Sequence, residues 1–193
     1  NDKQKESMIP KEDVQTALNK LKVQADHIYK TKDTSAKAMN TLTNYILLCL
    51  SSGIYMEPRR SLDWTELKIK NQTPDMNFYD SKTGKFIFAK YKTAKVYGTQ
   101  TEDVPIELKK ILDKWCKYNP NDFMLFNTKG GKLTSPNIAT RLNEIFGKKV
   151  STSALRHIYI SDKFKNMPSL KDLQETASAL GHSVPQMLEY IKK

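Results

Sequence analysis

The chain has 193 residues, 38% of them apolar and 9% aromatic, enough for one domain, or one and a fragment, with its own core and too apolar for a disordered segment. Its 32 lysines and arginines against 21 acids leave a net charge of +11, which favours a polyanionic partner, nucleic acid being the commonest. Cys49 and Cys116 lie far apart and define no disulfide framework, and with His27, His157 and His182 they show no paired zinc-ligand spacing. No apolar run approaches a membrane span and no signal-like segment opens the chain. No metal, no cofactor and no membrane partner is therefore expected, and an intracellular location, nucleus or cytoplasm, is.

Residues 1–9 are polar and expected to be disordered. From Pro10, the residues Val14, Leu18, Leu21, Ala25 and Ile28 recur at steps of four and three, which predicts an amphipathic helix. Lys30 to Asp33 interrupts it. A second helix is expected over 35–52, apolar nearly all round in its second half, with Gly53 as its stop. Pro58 opens a third helix carrying Arg59, Arg60, Leu62 and Trp64. The texture then changes to strands at 76–79 and 86–92, joined by a Ser-Lys-Thr-Gly turn at 81–84, with a third strand at 101–104. Helix returns at Pro105, with Leu108, Ile111, Leu112 and Trp115 on one face. Ser135 as cap and Pro136 in the first turn open a helix to Phe146. Further helices are expected at 153–165, 169–180 and 184–192, with Gly181 between the last two. The expected fold is α+β, mainly helical, with a small three-stranded antiparallel sheet, forming a single domain over 1–193.

The C-terminal stretch carries the chemistry. Arg156 offers a planar fork for two phosphate oxygens, and Ser153, three residues before it, shares its helix face. His157 beside them reads as a supporting or packing residue. His182 follows the helix-ending Gly181, where the amides of a new helix help bind an anion. Tyr190 lies eight residues on; its hydroxyl titrates near pH 10 and needs cationic neighbours before it can attack. Singly, each has a plain structural reading: an Arg on a solvated face, a satisfied His, a core Tyr among Val184, Met187, Leu188 and Ile191.

In order along the chain, however, these residues resemble the tyrosine recombinase (phage integrase) family. Leu180-Gly181-His182 is intact, Tyr190 stands near the nucleophile position, and Ser153 replaces the His of the family's His-x-x-Arg box. Lys92 in Tyr91-Lys92-Thr93 matches the family's hairpin Lys. Arg60, with Asp63 completing an Arg-x-x-acid pattern, takes the place of the first catalytic Arg, and Arg59 is second choice. The resemblance covers residues 35–193 and implies the catalytic domain of a DNA recombinase or integrase. In such an enzyme Tyr190 forms a 3′-phosphotyrosine link, Arg60 and Arg156 clamp the phosphate, His182 hydrogen-bonds to it, and Lys92 protonates the departing 5′-oxygen. It implies double-stranded DNA as partner, self-assembly as a tetramer on DNA, and no need for metal or ATP. The N-terminal DNA-clamping domain of the family is expected to be absent from this fragment. The Pro58-Arg59-Arg60 run and short C-terminus resemble recombinases of eukaryotic viruses and mobile elements. A type IB topoisomerase-like enzyme and a non-cleaving DNA-binding relative are the alternatives.

Overall fold

The computed structural model describes residues 9–181 and 183–191, with Tyr190 and Ile191 described only by their place on a helix. The chain divides into two compact units, Asn1–Ile160 and Ser161–Lys193. Ile9, the last residue of the segment expected to be disordered, is buried; the rest of that segment lies outside the described residues.

The first unit is built on two helices, α1 (Lys11–Thr31) and α2 (Ala36–Ser51). The five apolar residues spaced along α1 are all buried, and α2 is solvent-free over Leu42 and the run Ile46–Leu50. A central helix with no exposed face needs neighbours on every side, and α2 packs on α1, α5 (Ile106–Tyr118) and α6 (Ser135–Phe146). Cys49 is fully buried within it, and burial pushes its thiol up to about 12. The N-cap of α6 is Thr134, in a reciprocal capping box with Asn137, so Ser135 and Pro136 occupy the first turn and Ser135 is not the cap.

The sheet is β1 (Phe78–Asp80), β2 (Lys85–Phe88) and β3 (Gln100–Asp103), all antiparallel in the order β1-β2-β3. Phe86 and Phe88 turn inward with Tyr79 and meet Trp64 edge-on at 5.5 and 5.6 Å. Strand β2 stops at Phe88 and does not reach Lys92. The side chain of Asn77 explains the break: it accepts from Lys90 N at 2.7 Å and donates to Lys90 O at 2.7 Å, satisfying that backbone in place of a ladder. Lys92 falls in the turn that follows, ahead of a one-turn helix, α4 (Ala94–Tyr97), that the sequence pattern does not predict.

The helix expected from Pro58 is only α3 (Ser61–Thr65), because Arg59 is drawn into side-chain contacts and Arg60 stays extended as its N-cap. Helix α7 (Thr152–Lys163) closes the first unit with Ala154, Leu155 and Ile158 buried. The second unit holds α8 (Leu170–Ala179) and α9 (Val184–Ile191), joined through Gly181 at φ +68° around Leu173, Ala177 and Met187.

Gly53, at φ +78°, fixes how α7 approaches the end of α2: a Cβ there would stand 2.7 Å from Tyr159 Cδ2. Tyr159 also donates to Glu57 Oε1 at 3.1 Å. Gly53→Ala adds both a backbone penalty and this clash. It should lower stability by roughly 1–3 kcal/mol in a denaturant titration, whereas Gly147→Ala, with open space around it, should cost less.

Candidate active-site cleft

A cleft of about 620 Å³ lies in the first unit, between the start of α3, the β2–β3 connection and α7. Arg59, Arg60 and Arg156 all line it, with Tyr91, Thr93 and Tyr97 on the hairpin side. Two arginines distant in sequence thus meet over one volume. The packing of Tyr159 on Gly53 brings them together, since Arg156 lies one turn before Tyr159 on α7.

The three arginines are in different states. Arg59 is engaged on every side: Nε donates to Asp63 Oδ2 at 2.8 Å, one terminal nitrogen to Glu102 Oε1, the other to Gln100 Oε1 at 3.0 Å. Its guanidinium also lies over the Phe88 ring at 4.0 Å and near that of Tyr91 at 5.5 Å. Arg60 and Arg156, in contrast, make no hydrogen bond or ion pair among the described residues; Arg60 is exposed and Arg156 half-buried. They are the cations of this cleft available to an anion. Glu57, Asp63, Glu102 and Asp103 also line it, and Arg59 neutralises two of the four.

Ser153 and His157 are exposed on α7 and do not line the cleft, so of the Ser153–Arg156 pair only Arg156 faces it. Lys92 is exposed between two lining residues, Tyr91 and Thr93, without lining it itself. His182 lies outside the described residues, and Tyr190 is placed on α9 in the second unit. Among the described residues no cluster of His, Cys, Asp or Glu could hold a metal ion, and no helix is long and apolar enough to cross a membrane.

The sequence pattern misses Gln100 and Glu102 as partners of Arg59. Their alternation on β3 is a signal that they share a sheet face, but nothing local says which face. A second basic group flanks the cleft: Glu66 accepts from Lys90 Nζ at 2.9 Å and from Lys132 Nζ, and these bonds, that of Lys132 first, hold its carboxyl below the usual range.

Asp63 is 5% exposed, its Oδ1 has no hydrogen-bond partner among the described residues, and Arg59 is its ion-pair partner. Arg59→Met leaves that carboxylate buried and unpaired, and should cost about 3–5 kcal/mol in denaturant unfolding. Adding Asp63→Asn should restore much of the loss, whereas losses that simply add would show that the pair does not interact.

No family model matches the chain, and no curated protein is significantly similar to it in sequence. Solved structures are similar to it in fold. The XerA recombinase matches at a TM-score of 0.53 and 14% identity, over 95% of this chain and 57% of its own. The XerH site-specific recombinase bound to difH substrate, a pre-cleavage complex, matches at 0.51 and 19%, over 97% of this chain and 50% of its own. Its post-cleavage complex on palindromic difH gives 0.51 and 19%, over 94% and 48%. The chain spans about half the length of these proteins. What it shares with them is a tyrosine-recombinase-like catalytic fold, mainly helical, with one small three-stranded antiparallel sheet.

Proposed function

We propose that this chain is the catalytic domain of a site-specific DNA recombinase or integrase that cleaves and rejoins strands through a 3′-phosphotyrosine intermediate. The observation that carries the reading is the meeting of two uncommitted guanidinium groups, Arg60 and Arg156, over one cleft in a chain of +11 net charge. A phosphodiester gathers negative charge on its non-bridging oxygens as it is attacked, and two planar forks stabilise that charge where it develops. The likeness in fold to the XerH complexes with difH supports double-stranded DNA as partner.

In this reading the Tyr190 hydroxyl oxygen attacks the phosphorus and the bond to the 5′-oxygen breaks. Lys92 gives that leaving oxygen a proton, and the Tyr190 proton passes to solvent or a neighbouring base. His182 hydrogen-bonds to the same phosphate. Attack by a 5′-hydroxyl on the phosphotyrosine reverses the step and conserves the ester, so neither ATP nor a metal takes part. Arg60 is the first clamp because the hydrogen bonds of Arg59 are spent on Asp63, Glu102 and Gln100. Assembly as a tetramer on DNA, integration as the direction of exchange, and origin in a virus or mobile element belong to this proposal as well.

The test is an SDS-resistant protein–DNA adduct on nicked suicide substrates. Tyr190→Phe should retain DNA affinity and lose the adduct entirely. Arg60→Ala and Arg156→Ala should each slow adduct formation by about 10²–10³-fold with little change in affinity. Exchange between two DNA sites separates a recombinase from a topoisomerase-like enzyme, and wild-type binding without an adduct would identify a non-cleaving relative. Affinity should fall steeply with salt, through counterion release.

A further inference from the structure

A second cavity, of about 300 Å³, lies between the first half of α2, the 120–130 loop and α6. It shares no lining residue with the arginine cleft, and Asn40, which lines it, is about 16 Å along α2 from Ser51 at the cleft end. Arg141 of α6 contributes to its wall and is only 7% exposed. That arginine meets neutral acceptors alone: Nη1 donates to Asn44 Oδ1 at 2.8 Å and to Asn40 O at 3.5 Å, and Nη2 to Phe126 O at 3.3 Å. Its Nε makes no hydrogen bond, and no carboxylate pairs with it among the described residues. Burial pulls its pKa below the ordinary value, and Glu144, exposed one turn on, opposes this.

A buried cation with no counter-charge is costly to keep, and a guanidinium has five donors to satisfy. Other groups around the cavity are already spent: the Thr43 hydroxyl on Met39 O, the Asn121 amide on Gly130 O, the Asn127 amide on Lys132 O. The side chains of Asn40 and Thr128, in contrast, make no hydrogen bond among the described residues. Charge and free donors therefore converge on one solvent-open cavity whose lining holds no acid.

We propose that this cavity binds a phosphate-type oxyanion, with Arg141 supplying the charge and Asn40 and Thr128 the lateral hydrogen bonds. The site does not depend on the recombinase reading. Its occupant is either a free phosphate group or a phosphate of the DNA backbone, and the chemistry of recognition is the same.

The probe is inorganic phosphate against chloride at equal ionic strength, read as the melting temperature. The background is Arg60→Ala/Arg156→Ala, so that the cleft contributes nothing. Phosphate should raise the melting temperature saturably, as a ligand of the folded state alone does. Asn40→Asp, which places a carboxylate beside Arg141, should melt higher in chloride and lose the phosphate response; Arg141→Gln should lose it too. If Arg141→Gln does not fold, Asn40→Asp decides alone. No phosphate response in the background protein, or one that survives Asn40→Asp, overturns the proposal. DNA affinity of Asn40→Asp in the otherwise wild-type chain then identifies the source. A backbone phosphate predicts weaker binding and a salt slope smaller by about one, and a free phosphate predicts no change.

Discussion

Arg59 sits in a knot of charge and aromatic surface, its guanidinium bound to Asp63, Glu102 and Gln100 and stacked on Phe88. Asp63 belongs to α3, Gln100 and Glu102 to β3, and Phe88 to β2, so one side chain ties the start of a helix to two strands of the sheet. A planar, permanently charged fork can satisfy three acceptors and present a face to a ring at once, which an ammonium cannot. The shape of the cleft follows from this. With Arg59 drawn inward, the chain at Arg60 is extended and its side chain is left exposed at the cleft wall.

Arginine consequently plays three parts in this fold, separated by what each one meets. Arg59 meets acids and is structural. Arg60 and Arg156 make no ion pair among the described residues and line an open cleft. Arg141 meets only neutral oxygens and is buried. The same side chain is a tie, a clamp or an unbalanced charge according to burial and partner, and sequence neighbours do not determine which. Arg59 and Arg60 are adjacent and fall on opposite sides of that division.

The elements with strong periodicity were legible: the apolar ladder of α1, the all-apolar half of α2, and the Leu108, Leu112 and Trp115 face of α5. The sheet was legible as three strands joined by a tight turn. What the residues hid was decided by side-chain bonds over distance. Asn77, just before β1, ends β2 by bonding to the backbone of Lys90, and Arg59 shortens α3 by reaching across to β3. Thr134 won the cap of α6 over Ser135 because its hydroxyl, and not that of Ser135, stands three residues before Asn137. Of the candidate site, the family resemblance named Arg60 and Arg156, and both line the cleft. Ser153 faces elsewhere, although helical spacing alone would have it beside Arg156. Arg141 carried a signal as well: it falls on the apolar stripe of Ile138 and Leu142, where a charge is out of place.

The most direct measurement of the central claim is a crystal structure of the Tyr190→Phe protein on double-stranded DNA, which holds the uncleaved phosphate in place. One phosphate is expected within about 2.7–3.2 Å of both Arg60 and Arg156, with Arg59 still bound to Asp63 and Glu102. A phosphate held by Arg59 with its acids released, or DNA lying on a face away from the cleft, would contradict it.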